Sequence, residues 1–260
     1  MKTISKWLTA LALLLPMVAN ADLIPADGGA LVNDTTGNLT WVSDANLMAT
    51  QASSYGGGAS AYVSALIAAS GGAIHDTPNP FDTPVNSGIY NLSAADFDTS
   101  HGQMTWWGAQ AWVHYLDVMN NGHGYQGYTD WRLPTTEDDI NFSFGPPPPV
   151  SSSEMAELFY GQLGQVFSQS ITTTNNGSAG YNLFSNVVSH PYWSGTEHSP
   201  TIYAWYLSAF DGSQSADFKS LSDNALAVRG GLAPVPLPAA AWLLLNGLGG
   251  LGVMVCRRTG

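Results

Sequence analysis

The chain of 260 residues holds a single cysteine, Cys256, close to its end. Everything before it is therefore without a disulfide, a thiol nucleophile or a cysteine metal ligand. Positive charge is nearly as scarce, with 7 Lys and Arg against 19 Asp and Glu. Lys2, Lys6, Arg257 and Arg258 occupy the two ends, so the body has only Arg132, Lys219 and Arg229 to face every carboxylate of the chain. Phosphate backbones are held by clustered Lys and Arg, which argues against a nucleic-acid partner. Such a body favours cations, basic surfaces or neutral polymers, and its charge also serves solubility. The six histidines form no H-x-x-x-H or H-E-x-x-H pair, so zinc has little support. Ser194 stands in Tyr-Trp-Ser-Gly-Thr and not in a G-x-S-x-G elbow. Glu154 and Glu157 share a helical turn, but acids are favoured at helix starts for dipole reasons alone. No catalytic constellation is visible.

The two ends carry signals. Lys2 and Lys6 precede an apolar run from Leu8 to Val18, followed by Ala19, Asn20 and Ala21. This order reads as a secretory signal peptide over residues 1–21, cut before Asp22 by signal peptidase. At the other end an apolar run from Leu237 to Cys256 is broken only by Asn246 and closed by Arg257 and Arg258. A membrane span needs about 20 apolar residues, and the basic pair of residues 257–260 would stay cytoplasmic. Gly247, Gly249, Gly250 and Gly252 make it a weak free-standing helix, which suits a temporary anchor. Val235, Pro236, Leu237, Pro238 and Ala239, then the span, then the short basic tail, resemble the PEP-CTERM sorting tail of bacteria in its VPLPA variant. The resemblance implies recognition by an exosortase, removal of the tail, and a place at the cell surface or in the extracellular matrix of a Gram-negative bacterium. It also implies company with exopolysaccharide.

Between the signals, residues 22–37 read as a lead-in, 38–231 as one domain and 232–236 as a linker. Gly37 to Leu47 opens with apolar–polar alternation and predicts a strand. Ala59, Val63, Leu66, Ile67 and Ser70 lie at helical spacing. His75 to Asn91 is rich in Pro and Asn and reads as a surface loop. Met104-Thr105-Trp106 looks like a strand end. Trp112, Tyr115, Leu116 and Met119 then form one helical stripe, with Asn120-Asn121-Gly122 as the stop. Thr-Trp recurs at 40–41 and 105–106, a slight hint of paired halves. Pro146 to Pro149 predicts an extended spacer. Ser151 and Glu154 fit a capping box ahead of Met155, Leu158, Phe159 and Gln162. Ser170 to Gly180 is a polar loop, Asp211-Gly212 marks a hairpin, and Asn224 to Gly231 reads as the last strand.

Four blocks then stand in a telling order: "GYTDWRLPTTED" (127–138), "PYWSGTE" (191–197), "AWYLSAFDGSQ" (204–214) and "ALAVRGG" (225–231). With "LTWVSDAN" and "MTWWGAQAWV" upstream, they resemble the bacterial domain family named for the C-terminal domain of the collagen-like adhesin Lcl. The resemblance covers about Leu39 to Gly231. It implies an α+β, C-type lectin-like domain with two helices, small antiparallel sheets and long loops, serving as an extracellular recognition module. Some relatives are adhesins for sulfated polysaccharides, and here the chain departs, because it lacks the basic surface such ligands need. The same fold group includes formylglycine-generating enzymes, which rely on cysteines that this body does not have.

The motif residues Asp130, Trp131, Arg132, Leu133, Pro134, Thr135, Tyr192, Trp193 and Arg229 are expected to fix the fold. Arg132, flanked by Trp131 and Leu133-Pro134, can stack on a ring or pair with a carboxylate, with Asp130, Glu137, Asp138 and Glu197 as candidates. Contact with a ligand carboxylate or sulfate is the competing role, for Arg132 and for Arg229. Lectin-like folds often bind calcium through loop carboxylates and amides, and the charge balance permits such a site at Glu137, Asp138, Asp139 and Asn141, or at Asp211 and Asp217, with solvated acidic loops as the competing reading. None of these matches an EF-hand loop. Tyr192, Trp193, Trp205 and Tyr206 could form a sugar-stacking platform, but aromatics at such positions are more often core. The expected function is a non-catalytic binding or structural module of the exopolysaccharide matrix. The alternatives are an enzyme acting on envelope polysaccharide, or a structural protein without a ligand.

Overall fold

In the computed structural model, which describes residues 23–138, 153–173 and 179–235, the Leu-Thr-Trp-Val run is a strand buried on both faces. This strand, β3 (Leu39–Val42), lies between β2 (Leu31–Asp34) and β11 (Val228–Gly230), with β1 (Leu23–Ala26) outside β2. All three pairings are antiparallel. Residues 23–34 thus belong to the same sheet as the strand that opens the expected domain. The sheet unites the two ends of the body, and the chain leaves it through Ala233, whose N–H and C=O both bond the buried side chain of Asn33.

A second antiparallel sheet has the order β10 (Gln214–Phe218), β9 (Tyr203–Ser208), β8 (Pro191–His198). The expected Asp211-Gly212 hairpin joins β9 to β10, and Asp211 holds the turn by accepting from the backbone and hydroxyl of Ser213. On β8, Ser194, Gly195 and Thr196 stand opposite the single residue Trp205, so the strand bulges there. Two ribbons complete the strands: β4 (Ala73–His75) with β5 (Ile89–Asn91), and β6 (Phe97–Asp98) with β7 (Gln103–Met104).

The resemblance implies two helices, whereas the described residues form four. The first, α1 (Leu47–Ser54), went unforeseen because Leu47, Met48 and Ala52 are its only buried positions in a small, polar run. The second, α2 (Ala59–Ala69), forms where the spacing predicts a helix; Val63 and Leu66 of the expected stripe are buried together with Tyr62, while Ala59 is exposed. Trp106–Gly122 forms α3, capped by the Thr105 hydroxyl, which accepts from the Gly108 N–H. Its regular geometry ends at the expected stop, where Asn120 and Asn121 take left-handed conformations. Gly124 then passes so close to the Tyr128 carbonyl that a Cβ would lie 1.7 Å from it. Helix α4 (Glu154–Ala156) continues as a π-helical stretch (Glu157–Gln162), burying Met155, Leu158 and Phe159 as the pattern predicts.

The expected capping box is replaced. Ser153, and not Ser151, supplies the cap by accepting from the Ala156 N–H, while Glu154 is turned to another task. Ser151 and Pro146 to Pro149 lie outside the described residues. The core that these elements enclose is rich in tryptophan: Trp41, Trp107, Trp112, Trp193 and Trp205 are fully buried.

Candidate functional site

The four sequence blocks meet along one seam. Arg132 bridges to Val228 through both backbone groups, N–H to O 2.9 Å in each direction, so "DWRLP" extends the first sheet beside β11. The Pro134 carbonyl accepts from the Ser194 hydroxyl and the Gly195 N–H, which places the β8 bulge against the motif. Thr136 and Thr196 exchange hydrogen bonds, and Gln214 on β10 donates to the Thr136 hydroxyl. Trp193 donates its indole N–H to the Met104 carbonyl, and Trp106 donates to Ser194.

Arg132 forms a two-pronged pair with Glu154, each contact 2.7 Å. Glu154 is none of the four partners considered from the sequence. It lies across the 139–152 segment, and the pair fastens the start of α4 to the motif. The Thr135 N–H reinforces it by donating to the same carboxylate at 2.7 Å. The Glu154 carboxyl is drawn below its usual range by Arg132 and Thr135, which outweigh its half-burial, and the Arg132 guanidinium is held charged mainly by Glu154. With Trp131, Leu133 and Pro134 buried around it, this arginine closes the fold. Arg229 donates to Asp130 at 2.6 Å and lies 4.1 Å from the Tyr128 ring centroid, so it ties the last strand to the same motif.

The other candidates scatter. Asp138 accepts from the Trp205 indole at 2.9 Å and lies 2.6 Å from the His198 ring nitrogen, which together hold its carboxyl low against partial burial. Glu137 is exposed, Asp211 is spent on its turn, and Asp139 and Asn141 lie outside the described residues. Among the described residues, no group of three His, Cys, Asp or Glu is placed to hold a metal ion. Tyr192, Trp193 and Trp205 are core and Tyr206 is half-buried, so the stacking platform does not exist as a surface. Ala19, Ala21, Asp22, the stretch from Pro236 to Ala239, Arg257 and Arg258 all lie outside the described residues, while Val235 is exposed. Among the described residues no helix is long and apolar enough to cross a membrane.

A groove of about 490 Å³ opens between α1, the turn after β6 and the segment before β8. Asn46, Thr50, Ser53, Thr99, Ser100 and Asn186 line it. Asp44 organises one wall, accepting from the Thr50 hydroxyl at 2.6 Å and the Asn186 amide at 3.0 Å. Asp98 organises the other, accepting from Ser100 and from His101, and these bonds draw its carboxyl down to about 2. Ala49, Val187 and Val188 complete the lining, so amides and hydroxyls stand beside small apolar groups, with the carboxylates of Asp44 and Asp98 behind them. A second depression of about 380 Å³ lies beside Trp106, with His75 and His114 at its rim.

The arrangement least visible in the sequence is inside. The Lys219 ammonium is fully buried, 2.6 Å from Oδ2 of Asp76 and 3.3 Å from Oε1 of Glu197. Three regions bring these together: the end of the β4 strand, the end of β8 and the residue following β10. Lys219 also sits 4.4 Å over the Trp106 ring. The Asp76 Oδ2 accepts from the Trp107 indole at 2.9 Å and from the Asn79 amide at 3.2 Å. The loop that carries Asp76 is shaped by Asp82, whose carboxylate accepts from the backbone of Asn79 and Gly88. Gly88 is required there, since its φ is +73° and a Cβ would lie 2.9 Å from the Asp76 carbonyl.

In comparisons with family models, with curated proteins and with solved structures, nothing matches this chain.

Proposed function

We propose that the protein is an exported, exosortase-sorted component of the extracellular polysaccharide matrix, whose body is a C-type lectin-like module that binds a neutral glycan without transforming it. The observation that carries this reading is the groove between Asp44 and Asp98. Sugar hydroxyls both donate and accept. The amides of Asn46 and Asn186 and the hydroxyls of Thr50, Ser53 and Ser100 bring both kinds of partner to one groove, with Ala49, Val187 and Val188 as apolar faces beside them. A site built to hydrogen-bond a hydroxyl discriminates strongly against ligands that lack it. A sulfated chain would meet no Lys or Arg in that lining, and the carboxylates of Asp44 and Asp98 behind it would repel the sulfates. The signal-like N-terminus and the VPLPA-type tail support delivery to the outside.

The test is binding of the purified secreted protein to its producer's exopolysaccharide and to neutral and sulfated glycans, with calcium and with chelator. Saturable binding to a neutral glycan, and none to sulfated ones, is expected. Preference for sulfated glycans, or turnover of the bound chain, would contradict it. The sorting part expects surface-extracted protein to end short of Gly260.

A further inference from the structure

We propose that Lys219 and Asp76 become covalently joined, through an amide between Nζ and Cγ, in a reaction assisted by Glu197. The joined residues stand 143 apart in sequence. Asp76 Oδ2 is 2.6 Å from Nζ, so the carboxyl carbon lies one bond beyond a contact already made. The two side chains are 0% and 1% exposed, so water, which would screen the pair and compete for it, is kept away. A buried ion pair is favourable only when its remaining lone pairs are satisfied. Here they are not, because Asp76 Oδ1 is buried with no hydrogen-bond partner.

The reaction removes that oxygen. One proton passes from Nζ by way of Glu197 to Oδ1, giving the neutral amine and a neutral acid protonated on Oδ1. The Nζ lone pair attacks Cγ while Oδ2 carries the developing negative charge, stabilised by the Trp107 indole N–H and the Asn79 amide. Glu197, 3.3 Å from Nζ and oriented by the Thr77 N–H, takes a proton from the nitrogen and returns it to Oδ1. The C–Oδ1 bond breaks, one water leaves, and a secondary amide remains whose N–H faces Glu197. Nothing is oxidised or reduced. Glu197 is 23% exposed and marks a way out for the water. Trp106 and Trp107 wall the centre on its other side. The body holds no cysteine, so this bond would give it the constraint on the unfolded chain that an exported domain otherwise takes from a disulfide.

The test is peptide mapping by mass spectrometry of the folded, secreted wild-type protein after chymotryptic digestion. The expected product is one branched peptide joining the Asp76 segment to the Lys219 segment, lighter than their sum by one water, about 18 Da. Asp76→Asn is expected to link with loss of ammonia instead, about 17 Da. Glu197→Gln is expected to yield the two peptides largely unjoined, with its fold checked by circular dichroism. Recovery of Asp76 and Lys219 in separate linear peptides from folded wild-type protein would overturn the proposal whatever the variants do. Wild-type linkage in folded Glu197→Gln would overturn the role of Glu197.

Discussion

Asp223 is a carboxyl held in the wrong solvent. It is buried, its Oδ2 has no partner, and its Oδ1 lies 3.5 Å from the ring nitrogen of His190. Burial, helped by the charge of Asp217, pushes it up to about 7, while burial lowers His190. A carboxyl raised in the folded state is favoured there in its protonated form. Its contribution is present at low pH and is lost as pH climbs from about 4 to about 7. Asp223→Asn should therefore be more stable than wild type above pH 7, by on the order of 2–4 kcal/mol, with the advantage vanishing near pH 4. Melting temperatures of both proteins from pH 4 to 8 check this, and parallel curves would refute it. Asp98, Asp138, Asp211 and Glu154, all lowered, lose their contributions as pH falls, but they do so equally in both proteins. None of this was legible in "SLSDNALAV", where Asp223 looks like a turn residue, because its environment comes from β7, β10 and His190.

At the scale of elements, the Arg132–Glu154 pair decides how α4 meets the first sheet. Arg132→Ala would leave a half-buried carboxylate with only the Thr135 N–H, and charged hydrogen bonds of this kind are worth about 1.5–3 kcal/mol. A fall in melting temperature of about 3–12 °C is expected for a body of this size. Arg132→Lys should recover only part of it, since a single ammonium cannot make the fork. Equal stability of Arg132→Ala and wild type would show the pair to be idle. The elements themselves were largely readable. Periodicity located α2 and the α3 stripe, and turn residues located the hairpin and the α3 stop. The partner of Arg132 was not, because local pattern assigned Glu154 to a capping box. Only the fold shows that Ser153 caps alone and frees Glu154 to reach back across 22 residues. Helix α1 escaped for a different reason: only Leu47 and Met48 are large apolar residues in a run otherwise of Ala, Thr, Gln and Ser, whereas α2 carries Tyr62, Val63, Leu66 and Ile67.

Across the whole molecule, the scarcity of positive charge has a structural consequence. All three cations of the body are committed to carboxylates: Arg132 to Glu154, Arg229 to Asp130, and Lys219 to Asp76 and Glu197. Each joins segments distant in sequence, so the cations act as fasteners of an otherwise acidic shell. The sequence blocks that resemble a family are the seam these fasteners close, which is why they were legible as a motif and silent about a ligand. The groove was illegible, since Asn46, Thr50, Ser100 and Asn186 carry no pattern until α1 and the loops before β8 converge. Lys219 was equally hidden, a lone lysine in a polar run whose partners lie at positions 76 and 197.

In the proposed function the motif holds the fold and the groove holds the glycan. Melting temperature and affinity for the producer's neutral exopolysaccharide, measured on the same preparations of wild type, Arg132→Ala and the double variant Thr50→Val/Asn186→Ala, separate the two roles. The groove variant is expected to lose affinity at least about tenfold, as for lost polar contacts worth over 1.4 kcal/mol, and to lose some stability through the two exposed hydrogen bonds that Asp44 gives up. Arg132→Ala is expected to melt earlier yet bind as wild type at temperatures where it is folded. Unchanged affinity in the groove variant, together with lost binding in a fully stable Arg132→Ala, would contradict that division of roles.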